Sequence, residues 1–125
     1  SLVATLHALH SAEIDLQLDP APARLSAREE VHALQMVRES VSNAIRHGGA
    51  RRVTVELRPE DDRPLLEIRD SGRGFDPAEA RTRGGSGLGN LASRAAEIDA
   101  QLDIRSAPGQ GTVVRILFSP RSLAP

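Results

Sequence analysis

Apolar and polar side chains alternate in several short stretches of the 125-residue chain, and a period of two is the signature of a half-buried β-strand. The alternation predicts strands at residues 14–19, 52–58, 65–70, 101–105 and 112–118. A polar turn joins the second strand to the third, and a glycine-containing turn joins the fourth to the fifth. Each of these pairs is therefore predicted to form an antiparallel hairpin, with its turn at residues 59–64 and 107–111 respectively.

A longer period of three to four residues follows the first strand and predicts a helix over residues 27–47. Ser26 and Glu29 have the spacing of a capping box, in which the two side chains satisfy free backbone amides at a helix start. The pattern stops at Gly48 and Gly49, where a left-handed cap is easily formed. The apolar residues at helical spacing, expected to face the core, are Leu34, Val37, Val41 and Ile45.

A glycine-rich, charged stretch from residue 71 to residue 86 is expected to be a mobile loop, and a second helix is predicted after it. The apolar residues of that helix are Leu88, Leu91, Ala95 and Ile98. The order of elements is then strand, helix, two strands, loop, helix and two strands. This order predicts an α/β (α+β) two-layer sandwich, with a mixed, mainly antiparallel sheet covered on one face by helices.

The length predicts one domain, because single cores are typically built at roughly 100 to 150 residues. We place it at residues 14–118, between an N-terminal helical remnant or connector at residues 1–13 and a C-terminal tail at residues 119–125. The chain begins at Ser1 without an initiator Met, and we expect it to be part of a longer protein.

Composition excludes several classes of function. The formal net charge is −1 and Trp and Tyr are absent, so the chain lacks both the basic field and the aromatic platforms that nucleic-acid binding uses. Zero cysteines exclude disulfides, zinc sites built on thiolates and thiol catalysis, and fit a reducing cytosol. No apolar run approaches the roughly 20 residues of a membrane span. We therefore expect a cytoplasmic domain, whose parent protein can still be membrane-anchored.

Three polar residues share one face of the long predicted helix. Glu39, Asn43 and His47 are four apart and stay within roughly an 80° sector, nearly opposite the apolar stripe. They offer a carboxylate, an amide and an imidazole to a ligand, although a solvated helix face is the more common reason for this spacing. Asn43 favours the ligand, because asparagine is an indifferent helix former and has no capping role at this position.

The segment 70–74, Asp-Ser-Gly-Arg-Gly, ends the third predicted strand. Alternation puts Asp70 on the same inward face as Leu66 and Ile68. A carboxylate directed at a core needs hydrogen-bond donors, which a bound base or a serine can supply. The alternative is an ordinary Asp-Ser-Gly turn. The glycines let the backbone pass very close to a ligand or adopt a positive φ.

Residues 84–90, Gly-Gly-Ser-Gly-Leu-Gly-Asn, lead into the second predicted helix. Glycines before a helix N-terminus expose amides that, with the helix dipole, can hold phosphate oxygens. A flexible lid or linker has a similar composition. The segment is neither a Walker motif nor the dinucleotide-binding fingerprint.

Together, these segments resemble the ATP-binding motifs of the GHKL ATPase superfamily. Residues 39–47 resemble its N box, residues 70–74 its G1 box and residues 84–91 its G2 box, and they occur in the same order. Residues 90–95 and 106–114 resemble the later helix and the closing hairpin of sensor histidine kinases, especially of the nitrate/nitrite-sensor-like subfamily.

The resemblance covers roughly residues 14–118 and implies the Bergerat ATP-binding fold, in the role of the ATP-binding catalytic domain of a bacterial two-component sensor histidine kinase. By this resemblance, Asp70 would accept a hydrogen bond from the adenine amino group. Gly72 and Gly74 would give the ring room, and Thr112 would support the contact through water.

The resemblance also assigns the phosphate end of the site. Asn43 would hold Mg²⁺, a hard cation that takes oxygen ligands and keeps several waters. Glu39 would polarise the attacking group or orient a metal-bound water, while Arg46 and His47 would approach the phosphates. Backbone amides would cradle the phosphates at Gly85, Gly87, Leu88 and Gly89.

The phosphoacceptor histidine is expected in another part of the parent protein, since in the subfamily an acidic residue follows it directly. None of the four histidines here precedes an acidic residue: His7, His10, His32 and His47. We therefore expect phosphorylation of a histidine in a separate dimerisation domain, for relay to a response regulator. The fragment is expected to be a monomer that lacks autophosphorylation, and the parent a homodimer.

The sequence departs from the family pattern in two places. Arg46 stands where the family often has lysine, and residues 98–100 replace a common glycine pair. Two other functions stay open: an anti-sigma-factor-type serine kinase of the same fold, and a nucleotide-sensing module that changes partner contacts without turnover.

Overall fold

The computed structural model describes residues 14–18, 25–74, 76 and 86–120, with the backbone alone for residues 86–89. The predictions made for residues 1–13, for most of the loop between 75 and 85, and for the end of the tail lie outside the described residues. The elements are β1 (Ile14–Leu18), α1 (Ala27–Ser42), a π-helix (Asn43–His47), β2 (Val53–Glu60), β3 (Arg63–Asp70), α2 (Ser86–Glu97), β4 (Gln101–Ser106) and β5 (Thr112–Leu117).

The strands form one five-stranded sheet in the order β1-β2-β3-β5-β4. β1 runs parallel to β2, and every other pair is antiparallel. Alternate residues of the strands pack with both helices in a single core, which confirms the predicted mixed sheet with helices on one face. The buried residues that the three central strands contribute to this core are Val53, Val55, Leu57, Leu66, Ile68, Val114 and Ile116.

Helix α1 begins with the predicted capping box. The Ser26 Oγ atom accepts a hydrogen bond from the Glu29 amide at 3.1 Å, and Glu29 Oε1 accepts one from the Ser26 amide at 2.8 Å. The far end differs from the prediction of one α-helix to residue 47. From Asn43 onward the backbone is a π-helix, in which the Gly48 amide donates to the Asn43 carbonyl at 2.9 Å. Such π turns are rare and occur frequently at functional sites.

The apolar stripe predicted for the helix is confirmed in part, because Val37 is buried in the core and Leu34 and Val41 pack against it, but the most buried face is centred nearly one residue away, or about 100° around the helix. The face that the core buries consists of Ala33, Met36, Val37, Ser40 and Ala44. Small side chains on this face allow α1 to approach the sheet and α2 closely. Val41, which packs against the edge of this core, also lines an apolar groove of about 240 Å³ beside β1, together with Ile45, which is 37% exposed.

The first hairpin turn is also tighter than predicted. The strands extend through Pro59 and Pro64, which lie opposite each other, and only Asp61 and Asp62 form the turn. The prolines suggested a longer turn, but a cross-strand pair in which neither residue donates its N–H tolerates proline on both sides. Asp61 has a φ of 58°, a left-handed conformation that aspartate tolerates better than most residues.

The sheet face opposite the helices carries a network of ion pairs. Arg69 hydrogen-bonds Glu56 at 2.9 Å and also Glu67, while Arg115 lies 3.5 Å from Glu67 and from Glu60. The hydrogen bond to Glu56, followed by that to Glu67, raises the pKa of the Arg69 guanidinium above its ordinary value. Charges therefore cover this face where the helices do not.

Candidate nucleotide-binding site

Three polar residues form a row at one end of the helix-covered sheet face. Asp70 is the last residue of β3, its register partner on β5 is Thr112, and the partner of Thr112 on β4 is Ser106. All three continue the face that is buried further along the same strands. The adjacent row is apolar and consists of Ile68, Val114 and Ile104. This face of the sheet thus changes from core to polar site over two residues of each strand.

Asp70 forms the Asp-Ser-Gly turn that was the alternative interpretation of its motif, and its carboxylate can still bind a ligand. Its Oδ1 atom accepts a hydrogen bond from the Gly72 amide at 2.8 Å. In the part of the chain that the structure describes, the other carboxylate oxygen has no hydrogen-bond partner, and the residue is only partly buried. The turn therefore fixes the carboxylate and leaves an acceptor for a ligand.

The segment that follows Asp70 packs backbone to backbone against the end of the helix. The Arg73 amide donates to the Gly48 carbonyl at 2.8 Å. A Cβ on Gly72 would lie 2.6 Å from the same carbonyl oxygen, a distance that real Cβ atoms essentially never show. Glycine at position 72 is thus required by the close approach of Gly48.

On its other side, the segment contacts the turn between β4 and β5. Gly74 has a φ of +66°, and a Cβ there would lie 2.2 Å from the Ala107 carbonyl oxygen. A Cβ on Gly111 would lie 2.2 Å from the carbonyl oxygen of Asp70. The loop that carries Asp70 is therefore held between the helix end and the closing hairpin. The predicted role of Gly72 and Gly74 in giving a base room stays a prediction.

The polar side chains of the long helix lie at the same end of the fold. Glu39 and Asn43 are partly buried, whereas Arg46 and His47 are exposed. None of these four side chains has a hydrogen bond or an ion pair with another described residue. Glu39 and Asn43 lie about 120° and 80° around the helix from Ala33, beside the buried face. They were expected nearly opposite the apolar stripe, but the buried face extends further toward them than predicted, through Met36 and Ser40.

The glycine-rich segment enters helix α2 earlier than predicted. Gly87 and Gly89, which were expected before the helix, belong to its first turn, which begins at Ser86, together with Leu88, which was predicted to be helical. The first four amides of a helix have no intrahelical acceptor, so their N–H groups can receive an anion. Gly85 lies outside the described residues.

The described residues contain no group of three or more histidine, aspartate and glutamate side chains that could hold a metal ion alone. A cation at this end of the fold would thus need oxygens from its ligand in addition to Asn43.

Within the described ranges, no helix combines the length and apolarity needed to cross a membrane.

Sequence reasoning missed two residues of this end of the fold. Ser106 joins the polar row through strand register, and Gly48 contacts Gly72 and Arg73 through its carbonyl. The available signal for Ser106 was its position immediately before the second hairpin turn, opposite Thr112. No local pattern indicated the contact of Gly48, because it joins segments more than twenty residues apart.

Comparison with known proteins points to one family. The family model for the histidine kinase-, DNA gyrase B-, and HSP90-like ATPase matches residues 28–122. Sensor protein VraS of Staphylococcus aureus is 40% identical over 87 residues, and VraS of Staphylococcus epidermidis is 39% identical. Each alignment covers 70% of this chain and 25% of the relative. The chain therefore spans about a quarter of the length of these curated relatives.

Solved structures share the fold. The ATP binding domain of PrrB from Mycobacterium tuberculosis matches with a TM-score of 0.71 and 20% identity, over 97% of this chain and 90% of that one. The histidine kinase domain of the E. coli osmosensor EnvZ matches with a TM-score of 0.72 and 19% identity, over 99% and 86%. At these identities the likeness is one of fold, and it confirms the predicted α/β sandwich.

Proposed function

Because the chain belongs to the histidine kinase-, DNA gyrase B-, and HSP90-like ATPase family, we propose that it binds Mg-ATP and donates the γ-phosphoryl group to a histidine of a separate dimerisation domain. The observation that carries the proposal is the meeting of the Asp70 loop with the end of the helix that bears Asn43, through the carbonyl of Gly48. The superfamily prediction is confirmed, whereas the nitrate/nitrite-sensor-like subfamily stays a prediction.

Asp70 is the proposed anchor for adenine. One carboxylate oxygen is held by the Gly72 amide, so the other can accept a hydrogen bond from the exocyclic amino group of the base. Thr112 lies beside Asp70 in the sheet and supports the base through water. Gly72 and Gly74 keep this wall of the site free of side chains.

The phosphates are proposed to lie between the two helices. The first-turn amides of α2, at Gly87, Leu88 and Gly89, and the amide of Gly85 would hold phosphate oxygens. Arg46 and His47 are exposed and have no described partner, so both can approach the same charges.

The residues present fit a bound magnesium ion. The Asn43 side chain is partly buried and has no hydrogen bond to a described residue, so its amide oxygen can be a ligand. One amide oxygen suffices where phosphate oxygens and water complete the octahedron. When bound, the ion would neutralise charge on the β- and γ-phosphates.

Glu39 is proposed to polarise the attacking group, because it stands one turn before Asn43 on the same side of the helix. The nucleophile is a histidine nitrogen of the phosphoacceptor domain. As the new N–P bond forms, the bond from the γ-phosphorus to the bridging oxygen breaks and ADP leaves. Transfer to a response regulator, a homodimeric parent and a membrane anchor in that parent belong to the same proposal.

The test is calorimetric titration of Mg-ATP into this chain and into its Asp70→Asn and Asn43→Asp variants. We expect one binding event in the unsubstituted chain. It should be lost or much weaker in Asp70→Asn, because the amide offers a donor to the amino group, and less dependent on magnesium in Asn43→Asp. Absence of saturable binding at millimolar ATP by the folded chain would contradict the proposal.

Binding alone does not establish transfer, so a second experiment uses the parent protein. Incubation with ATP labelled in the γ-phosphate should give an acid-labile, base-stable phosphohistidine. A parent protein that binds ATP and never becomes labelled would favour a nucleotide sensor. Label found on serine of a partner protein would favour the serine-kinase alternative.

A further inference from the structure

Two hydroxyl groups meet beside Asp70. The Oγ atom of Ser106 lies 2.8 Å from Oγ1 of Thr112, and it donates a hydrogen bond to the carbonyl oxygen of Gly111 at 2.9 Å. Both residues stand in the row that begins with Asp70. Adjacent strands are about 4.8 Å apart, so Ser106 is roughly 10 Å from Asp70 and is separated from it by Thr112.

Counting protons fixes the direction of these bonds. Each hydroxyl has one proton, and the Gly111 carbonyl can only accept. If Ser106 gave its proton to Thr112, the 2.9 Å contact with Gly111 would have no proton. Both contacts are hydrogen bonds only when Thr112 donates to Ser106 and Ser106 donates to Gly111.

The Thr112 hydroxyl is thereby committed as an acceptor toward Asp70, whose carboxylate is also an acceptor. Two neighbouring acceptors are satisfied by a group with two N–H or O–H donors, such as an exocyclic amino group or a water beside it. A 6-oxo purine presents an acceptor at C6 and a single donor at N1, so it leaves at least one of the two groups unsatisfied, which is costly in a desolvated site.

We propose that Ser106 is a positioning residue that holds the Thr112 hydroxyl as an acceptor beside Asp70 and thereby favours 6-amino over 6-oxo purine nucleotides. The inference rests on the proposed function, since it requires the base to lie at Asp70. It adds a residue that acts through Thr112 without touching the nucleotide.

Removal of the Ser106 hydroxyl releases the Thr112 proton. In Ser106→Ala, the affinity for Mg-ATP is expected to fall by about threefold to tenfold, the scale of one misdirected hydrogen bond. Thr112 can then donate to a 6-oxo group, so the ratio of the ITP and ATP dissociation constants should fall. Ser106→Thr keeps the hydroxyl and should restore both values.

The decisive experiment is a double-mutant cycle measured by calorimetry with Mg-ATP and Mg-ITP. The effect of Ser106→Ala on the dissociation constants is compared in the otherwise unsubstituted chain and in Thr112→Val. The Thr112→Val variant retains Asp70 and should bind ATP weakly but measurably. In the Thr112→Val background, Ser106→Ala should cause no further loss. Ser93→Ala, at an exposed position of α2, is the matched control and should change neither constant.

Equal losses in the two backgrounds, or an unchanged ITP to ATP ratio, would overturn the inference and leave the proposed function intact. A folded, unsubstituted chain that binds no ATP would overturn both the inference and the proposed function. Should Ser106→Ala unfold the chain, Ser106→Cys serves in its place, because a thiol keeps the volume and is a weak donor and acceptor. The ratio of the ITP and ATP dissociation constants of Ser106→Cys then tests the inference.

Discussion

The carbonyl oxygen of Gly48 lies 2.6 Å from the position that a Cβ atom on Gly72 would occupy, and the same oxygen accepts the Arg73 amide. The Gly48 amide in turn donates to the carbonyl of Asn43 through the π-helix. A chain of two backbone hydrogen bonds therefore links the proposed magnesium ligand to the loop that begins at Asp70. This link fixes the distance between the two ends of the proposed nucleotide site.

Gly72→Ala should break this link. The added methyl group would overlap the Gly48 oxygen and crowd Asp70 Oδ1, which lies 3.0 Å from it. Because the clash is with backbone, we expect a loss of about 1 to 3 kcal/mol in the free energy of unfolding and much weaker ATP binding. Urea unfolding and calorimetric titration measure the two effects.

Gly109→Ala is the matched control for this variant. Gly109 has a φ of +79°, but no heavy atom lies within 4 Å of the position that an added methyl group would occupy. Its substitution should cost only the backbone strain of about 1 kcal/mol and leave the ATP affinity unchanged. If both variants lost affinity equally, the contact between Gly48 and Gly72 would not be what positions the site.

The capping box gives a prediction about stability alone. Ser26→Ala removes the acceptor of the Glu29 amide, and we expect it to lower the free energy of unfolding by about 1 kcal/mol. The site lies at the other end of α1, so ATP affinity in the folded state should stay the same. Ser93→Ala, in the exposed part of α2, should change stability by less than about 0.5 kcal/mol in the same urea titration.

Local patterns predicted most of this fold. Alternation located all five strands, and the spacing of Ser26 and Glu29 located the start of α1. The errors arose where non-local packing decides the outcome. Hydrophobicity favoured Ile45 over Ala44 for the core, but the close approach of α1 to its neighbours buries the smaller residue.

The candidate site, like the fold, could be predicted from local patterns but not where it depends on contacts between distant segments. Asp70 and Thr112 were identified from their motifs, and the structure places them side by side. Ser106 was not, because its relation to Thr112 depends on the register of β4 and β5 and on the direction of a hydroxyl proton. The π-helix was missed too, since no residue between 43 and 47 distinguishes π from α geometry by itself.

The charged sheet face yields a prediction about ion pairs. Arg69→Met removes the shared partner of Glu56 and Glu67, and the Glu67 side chain is only 12% exposed. We expect a loss of about 1 kcal/mol in the free energy of unfolding, more than an isolated surface pair contributes. Arg105→Met breaks the exposed pair with Asp103 and should cost less than about 0.5 kcal/mol. Equal losses would mean that the network adds nothing.

The same network fixes the sign of a pH effect. The pKa of Arg69 is raised in the folded state, so its contribution is complete below the unfolded pKa and is lost only as pH rises through the folded one. That window lies above the ordinary arginine value. The difference in the free energy of unfolding between the unsubstituted chain and Arg69→Met should therefore stay constant from about pH 7 to pH 10 in urea titrations.

Glu39→Gln separates binding from transfer. Glu39 has no hydrogen bond or ion pair with another described residue, so loss of its charge should change the free energy of unfolding by less than about 0.5 kcal/mol. ATP binding should change little, because the amide keeps the size of the side chain. Since a group that polarises the nucleophile contributes about 10²- to 10⁴-fold, labelling of the phosphoacceptor histidine in the parent protein should fall by at least about 100-fold.

Glu97→Gln is the control for this prediction, because Glu97 pairs with Arg28 on the exposed side of the helices. It should leave the labelling rate unchanged. A Glu39→Gln protein that binds ATP and labels its histidine at the parental rate would remove Glu39 from the chemistry. Catalysis would then depend on positioning and charge neutralisation by the remaining residues of the site.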